Sequence, residues 1–136
     1  MRRLVSALAG LTGLVGLIVV AATCRRVVRV EVHGHSMAPG LHPGDRVVAV
    51  RGLRARSGDV VAAADPRHPR RLLVKRAVAV GGDGSVELAG DNIDASTDSR
   101  TFGTVGAPLV VGRVVWRYWP RHRRGTLGGS SRPVVR

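Results

Sequence analysis

The stretch Val27-Val28-Arg29-Val30-Glu31-Val32-His33-Gly34-His35-Ser36-Met37-Ala38-Pro39 decides how the chain folds. Val28, Val30 and Val32 alternate with Arg29 and Glu31, the period of a strand with one buried face. The strand runs into a turn bounded by Gly34 and Pro39, so Ser36 stands at its exit, facing a cleft. A serine in such a setting is by itself ordinary turn chemistry. It becomes a nucleophile only with a base in hydrogen-bond reach.

Downstream the same period recurs, predicting strands at Arg46 to Val50, Asp59 to Ala63, Arg71 to Val80, Val86 to Ala89 and Val110 to Tyr118. Pro39-Gly40, Pro43-Gly44, Ser57-Gly58 and Gly81-Gly82 separate them. No amphipathic helix of normal length is predicted after residue 26. The expectation is one all-β domain over 27–120, a compact barrel or pair of sheets, and 136 residues leave no room for a second full domain.

Upstream, Leu4 to Cys24 carries no charged side chain. As a helix it would span roughly 30 Å, the depth of a bilayer core. Met1-Arg2-Arg3, the apolar run and Ala21-Ala22 also suit a cleaved signal peptide. The length of the run and the Arg25-Arg26 that ends it favour an uncleaved transmembrane anchor over 1–26. Arginines flank the segment on both sides, so charge leaves its orientation open. The lone Cys24 makes no internal disulfide. Residues 121–136, rich in Arg, Gly and Ser, are expected to form a disordered basic tail.

The formal charge of +13 raises nucleic acid or an anionic membrane surface as partners, and neither follows from charge alone. More telling is that Lys75 is the one lysine among 22 basic residues. Five histidines compete with it as base for Ser36. His35 adjoins Ser36 and points to the opposite face, and His68 and His122 read as solvated. Lys75 lies in Leu72-Leu73-Val74-Lys75-Arg76-Ala77-Val78, a nearly continuous apolar strand. Burial there lowers an amine's pKa toward neutrality; a fall from about 10.4 to about 7.5 corresponds to roughly 4 kcal/mol against the charged form. Arginine never deprotonates in a protein, so the single lysine stands where only a deprotonatable amine serves.

Gly34-His35-Ser36-Met37-Ala38-Pro39, Gly58-Asp59-Val60-Val61, Lys75 to Asp83 and Gly90 to Arg100, in that order and spacing, resemble the successive boxes of the type I signal peptidases. The resemblance covers about residues 4–119 and is nearest the short, minimal members. It implies a Ser/Lys dyad, with Ser36 attacking the scissile carbonyl, Lys75 as general base and the Ser36 N–H donating to the oxyanion. Ser96 would orient the Lys75 amine, and Asp98 and Arg100 would form an ion pair bracing that loop. At Gly34 some members carry a Ser that assists the oxyanion, and Gly40 stands where Thr is common. The implied substrate is an extended precursor segment with small residues before the cut. It would pair with the strand before Ser36 and with Leu72 to Lys75, and Val32, Gly34, Leu73 and Val74 would touch it.

Cleavage of exported precursors would place the β domain on the extracytoplasmic side of the cell membrane. The resemblance extends to the short maturation proteases of nickel superoxide dismutase, which would imply one dedicated propeptide instead. A basic, membrane-tethered binding module with Ser36 and Lys75 idle is the competing reading from another class. Phe102, Trp116, Tyr118 and Trp119 are candidates for the lipid interface, though such residues more often form core or rim. No metal-ligand spacing or phosphate-binding Gly loop is present, so no cofactor and no metal are expected, and no nucleic acid partner is expected either.

Overall fold

The computed structural model describes residues 15–23 and 26–128. Among these residues seven strands form one antiparallel sheet: β1 (Val27–Glu31), β2 (Arg46–Val50), β3 (Val60–Asp65), β4 (His68–Val80), β5 (Val86–Ala89), β6 (Val110–Trp119) and β7 (Gly125–Thr126). The spatial order is β1-β2-β6-β3-β4-β5, and β7 lies against β6. A continuous antiparallel sheet thus builds the all-β domain that the sequence leads one to expect. Two long strands make this arrangement work. One edge of β6 is shared by β3 at its start and β7 near its end, and its other edge pairs with β2 through two register shifts. Such irregularities bend and twist a strand.

β3 carries the core on both faces. Val60 and Ala62 belong to a cluster with Val30, Val47, Val74 and Val114, while Val61 and Ala63 belong to a second with Ala77, Val86, Leu88 and Val105. A strand buried on both sides reads as an unbroken apolar run, which is what Val60-Val61-Ala62-Ala63 is. On β6, Gly112 permits the crossing, because a Cβ there would stand 2.6 Å from the Val50 carbonyl oxygen.

The ends of β3 and β6 differ from expectation by one or two residues, and two other boundaries differ by more. β4 begins at His68, because Asp65 caps a tight turn at Pro66-Arg67: its carboxylate accepts the Arg67 N–H at 2.9 Å and both arms of the Arg67 guanidinium. Asp-Pro is a turn signal that permits the hairpin to close without a longer loop. Where a basic tail without fixed structure is expected, residues 125–126 pair with Trp116 and Arg117, and Leu127 packs on the larger core cluster. Buried Asp45 binds both Arg117 and Arg123 at 3.3 and 3.2 Å, which fastens that segment; residues 129–136 lie outside the described residues.

The anchor expected over 1–26 falls largely outside the described residues. Residues 15–23 are helical and exposed, and among the described residues no helix is long and apolar enough to cross a membrane. Trp116 and Trp119 are exposed, whereas Tyr118 and Phe102 are half-buried.

Candidate active site

The sheet leaves two edges unpaired near one another. Among the described residues β1 pairs only with β2, and β5 covers β4 only from Arg76 onward. Between the β1 edge and the first half of β4 runs a groove of about 690 Å³, and Ser36 and Lys75 both line it. Val32, Gly34, Leu73 and Val74 line it as well.

Ser36 is half-buried in the turn that follows β1. Gly34 enters that turn with φ of 77°, a conformation a side chain resists, so a serine at this position would be strained. Met37, 1% exposed, plugs the larger core, and the Leu41 N–H closes onto the Met37 carbonyl at 2.8 Å. One residue of the turn is sunk in the core, which fixes the orientation of its neighbour.

Lys75 sits opposite Val61 in the β3–β4 ladder and is 4% exposed. Its amine donates to Ser96 Oγ at 3.0 Å, and Ser96 donates in turn to Asp98 Oδ2 at 2.8 Å. A hydroxyl has one hydrogen. With that hydrogen committed to Asp98, Ser96 can only accept from the amine, and this fixes one N–H of Lys75. Burial lowers the Lys75 pKa, with Arg71 and Arg100 adding to the effect and Asp98 opposing it.

Asp98 is fully buried. It accepts the Gly90 N–H at 3.0 Å, and Arg100 grips it with Nε at 2.8 Å and Nη2 at 2.9 Å. Burial alone would raise its pKa, but the bonds from Arg100, Gly90 and Ser96 hold it well below the usual carboxylate range. It also caps the one-turn helix α1 (Ser99–Phe102), whose Ser99 hydroxyl accepts the Leu88 N–H at 2.8 Å.

Four further residues position the site without having been assigned a role from sequence. A Cβ on Gly90 would collide with Ser96 Oγ and stand 2.5 Å from the Ser36 carbonyl oxygen. The Asn92 N–H holds that same carbonyl at 2.9 Å. Arg76 and Asp91 form a nearly buried bidentate pair at 2.7 Å, and Arg76 also donates to the Gly58 carbonyl at 2.6 Å. A Cβ on Gly40 would stand 2.8 Å from Asp91 Oδ2, so glycine leaves room for this pair at a position where threonine is common among the peptidases it resembles. The loop from Gly90 to Asp98 therefore touches both halves of the site: the backbone of Ser36 and, through Ser96, the amine of Lys75. The signal available in sequence was Gly90-Asp91-Asn92 directly after a strand, which marks a turn and does not reveal what the turn touches.

Among the described residues, His35 lines the groove and His33 bonds the Glu31 carbonyl at 3.0 Å. No group of three or more His, Cys, Asp or Glu among the described residues is placed to hold a metal ion.

The model of the signal peptidase family, peptidase S26, matches residues 1–88 and 83–119. The chain belongs to that family, and is thereby a peptidase of the signal peptidase kind. It is 34% identical to the mitochondrial ATP-independent inner membrane protease subunit 1b of Arabidopsis thaliana, over 71% of this chain and 72% of that protein. It is 32% identical to the mitochondrial inner membrane protease subunit 1 of Homo sapiens, with the same shares covered. It is 30% identical to the mitochondrial inner membrane protease subunit 2 of Danio rerio, over 76% of this chain and 70% of that protein.

Proposed function

We propose that the protein is a membrane-bound serine endopeptidase that removes signal peptides from exported precursors by a Ser36/Lys75 dyad. The observation that carries this reading is the buried Lys75 amine, held by Ser96 and Asp98, in the groove it shares with Ser36. A neutral amine has two N–H groups and one lone pair. Ser96 takes one N–H, which leaves the lone pair free to accept the Ser36 proton. The amine's hydrogen bond goes to Ser96 and not to Ser36 among the described residues, so the Ser36 hydroxyl turns onto the amine when substrate fills the groove, as catalytic bonds often tighten only in the complex.

In the reaction, Lys75 takes the Ser36 proton as Oγ attacks the scissile carbonyl. The Ser36 N–H, which has no backbone acceptor among the described residues, donates to the oxyanion. Collapse expels the amine of the mature chain, which leaves with the proton from Lys75, and a peptidyl ester remains on Ser36. Lys75, neutral again, draws a proton from water; the hydroxide equivalent cleaves the ester, and the proton returns to Ser36 Oγ. Ser96, Asp98 and Arg100 act as positioning residues.

The unpaired edges of β1 and β4 suit an extended precursor segment by strand addition, with small residues before the cut against Val32, Leu73 and Val74. Residues 1–26 anchor the chain in the bilayer, with the β domain extracytoplasmic. The names of the relatives place those proteins at an inner membrane, which supports the anchor. Incubating a labelled secreted precursor with wild type and with Lys75→Met in detergent tests the reading. Cuts after small residues that vanish in the variant are expected; cuts that persist refute it.

A further inference from the structure

The end of the groove remote from Ser36 is basic. Arg70 and Arg71 lead β4 toward the site, both exposed, and they line the groove together with Arg29 and Arg67. Arg67 is closed on Asp65 at 2.9 Å. Glu31 is the one carboxylate in the lining, and Arg46 holds it at 3.3 Å. Among the described residues neither Arg70 nor Arg71 meets a carboxylate, although all nine acidic residues of the chain lie within those segments. Arg29, exposed on β1, also meets no carboxylate among the described residues but lies over the Tyr118 ring, 6.0 Å from its centroid, which leaves the guanidinium groups of Arg70 and Arg71 at the mouth of the peptide groove to call for an anion from outside.

Side chains alternate along a strand, so Arg71 shares its face of β4 with Leu73 and Lys75. Four residues at about 3.3 Å each put it roughly 13 Å from Lys75. An extended substrate on the same edge has the same rise, which brings its residue about four positions from the cut level with Arg71. The half of the substrate that becomes the acyl group must stay bound after the other half leaves, so the groove belongs to residues before the cut. Resting on the function proposed above, we propose that this peptidase selects precursors with an acidic side chain about four residues before the cleavage site, held by Arg71, with Arg70 on the opposite face of the strand adding to the positive field at the groove mouth. A carboxylate meets a guanidinium through two parallel bonds, and a lysine there is repelled.

The test uses full-length protein in neutral detergent and peptides that differ only at one position, bearing Glu, Gln or Lys, scanned three to five residues before the cut. kcat/KM is compared at the alkaline plateau, in low and high salt. We expect Glu to exceed Gln by about 2–5-fold at low salt and Gln to exceed Lys. Salt should shrink both ratios, and the double variant Arg70→Gln/Arg71→Gln should bring them to about one. Equal rates for the three peptides, or a preference that survives the double substitution, overturn the proposal. Cleavage of the Gln peptide by wild type but not by Ser36→Ala tests the proteolytic reading separately. If no peptide is cut, that reading fails, and fluorescence anisotropy of the three peptides on Ser36→Ala protein still decides the charge preference. Should the double variant lose binding only to phosphatidylglycerol vesicles while the peptides remain equivalent, the arginines serve lipid headgroups and the proposal is overturned.

Discussion

Lys75 is held at a point where its two protonation states differ most in their surroundings. The charged form has lost water, and the Asp98 charge, linked to it through the Ser96 hydroxyl, compensates only in part. Lys75→Arg keeps the charge and cannot release a proton, so it should lower kcat by at least about 10³-fold, as should Ser36→Ala, with both variants retaining wild-type circular dichroism. The pH profile carries a sign that tests the geometry further. Activity needs the neutral amine, so kcat/KM should rise with pH through the Lys75 pKa, on an acid limb below the ordinary lysine range. Arg71 lowers that pKa and Asp98 raises it. Arg71→Gln should therefore move the limb to higher pH and Asp98→Asn to lower pH, each read from kcat/KM on a peptide neutral at every groove position.

At the scale of the element, the loop between β5 and α1 couples the two halves of the site, and Gly90 is its narrowest point. Gly90→Ala places a methyl group against both Ser96 Oγ and the Ser36 carbonyl. It should cost about 1–3 kcal/mol in urea unfolding, and also reduce kcat well beyond what the remaining folded fraction explains. A variant with lost stability and unaltered kcat would separate this loop from the dyad. Much of the scaffold was legible beforehand, because half-buried strands such as Arg46 to Val50 and Val86 to Ala89 announce themselves by period two and by the glycines and prolines around them. The same reasoning found Ser36 and Lys75, one from a turn and the other from an amine in an apolar run. It did not find Arg76–Asp91, Gly90 or Asn92, whose meaning lies in contacts between segments 15 to 56 residues apart. Nor did it reach the strand order, since local patterning does not reveal that β6 serves two neighbours along one edge. Arg71 reads in sequence as the first residue of a strand and Arg29 as the polar side of another, and neither position reveals that the two line one groove.

Taken whole, the domain is held by a few buried acids, each gripped by arginine: Asp45, Asp65 and Asp98 are all at most 2% exposed. For Asp98 the folded pKa lies well below the unfolded value of about 3.9. Its contribution to stability is fully present above about pH 4 and is lost as pH falls toward the folded pKa. The stability gap between wild type and Asp98→Asn in urea titrations should thus be constant from pH 5 to 7 and narrow below about pH 4; a gap that widens on acidification would contradict the network. The central claim is that a neutral lysine amine at position 75 activates Ser36, and chemical restoration of that amine tests it most directly. In a Cys24→Ser background, Lys75→Cys should fold and cut nothing; treatment with bromoethylamine, which rebuilds an amine one sulfur away from lysine, should restore cleavage of a precursor peptide, with the acid limb at the lower pKa of the thioether amine. Cleavage by the untreated Lys75→Cys protein, or a folded and fully alkylated protein that stays inert, would contradict it.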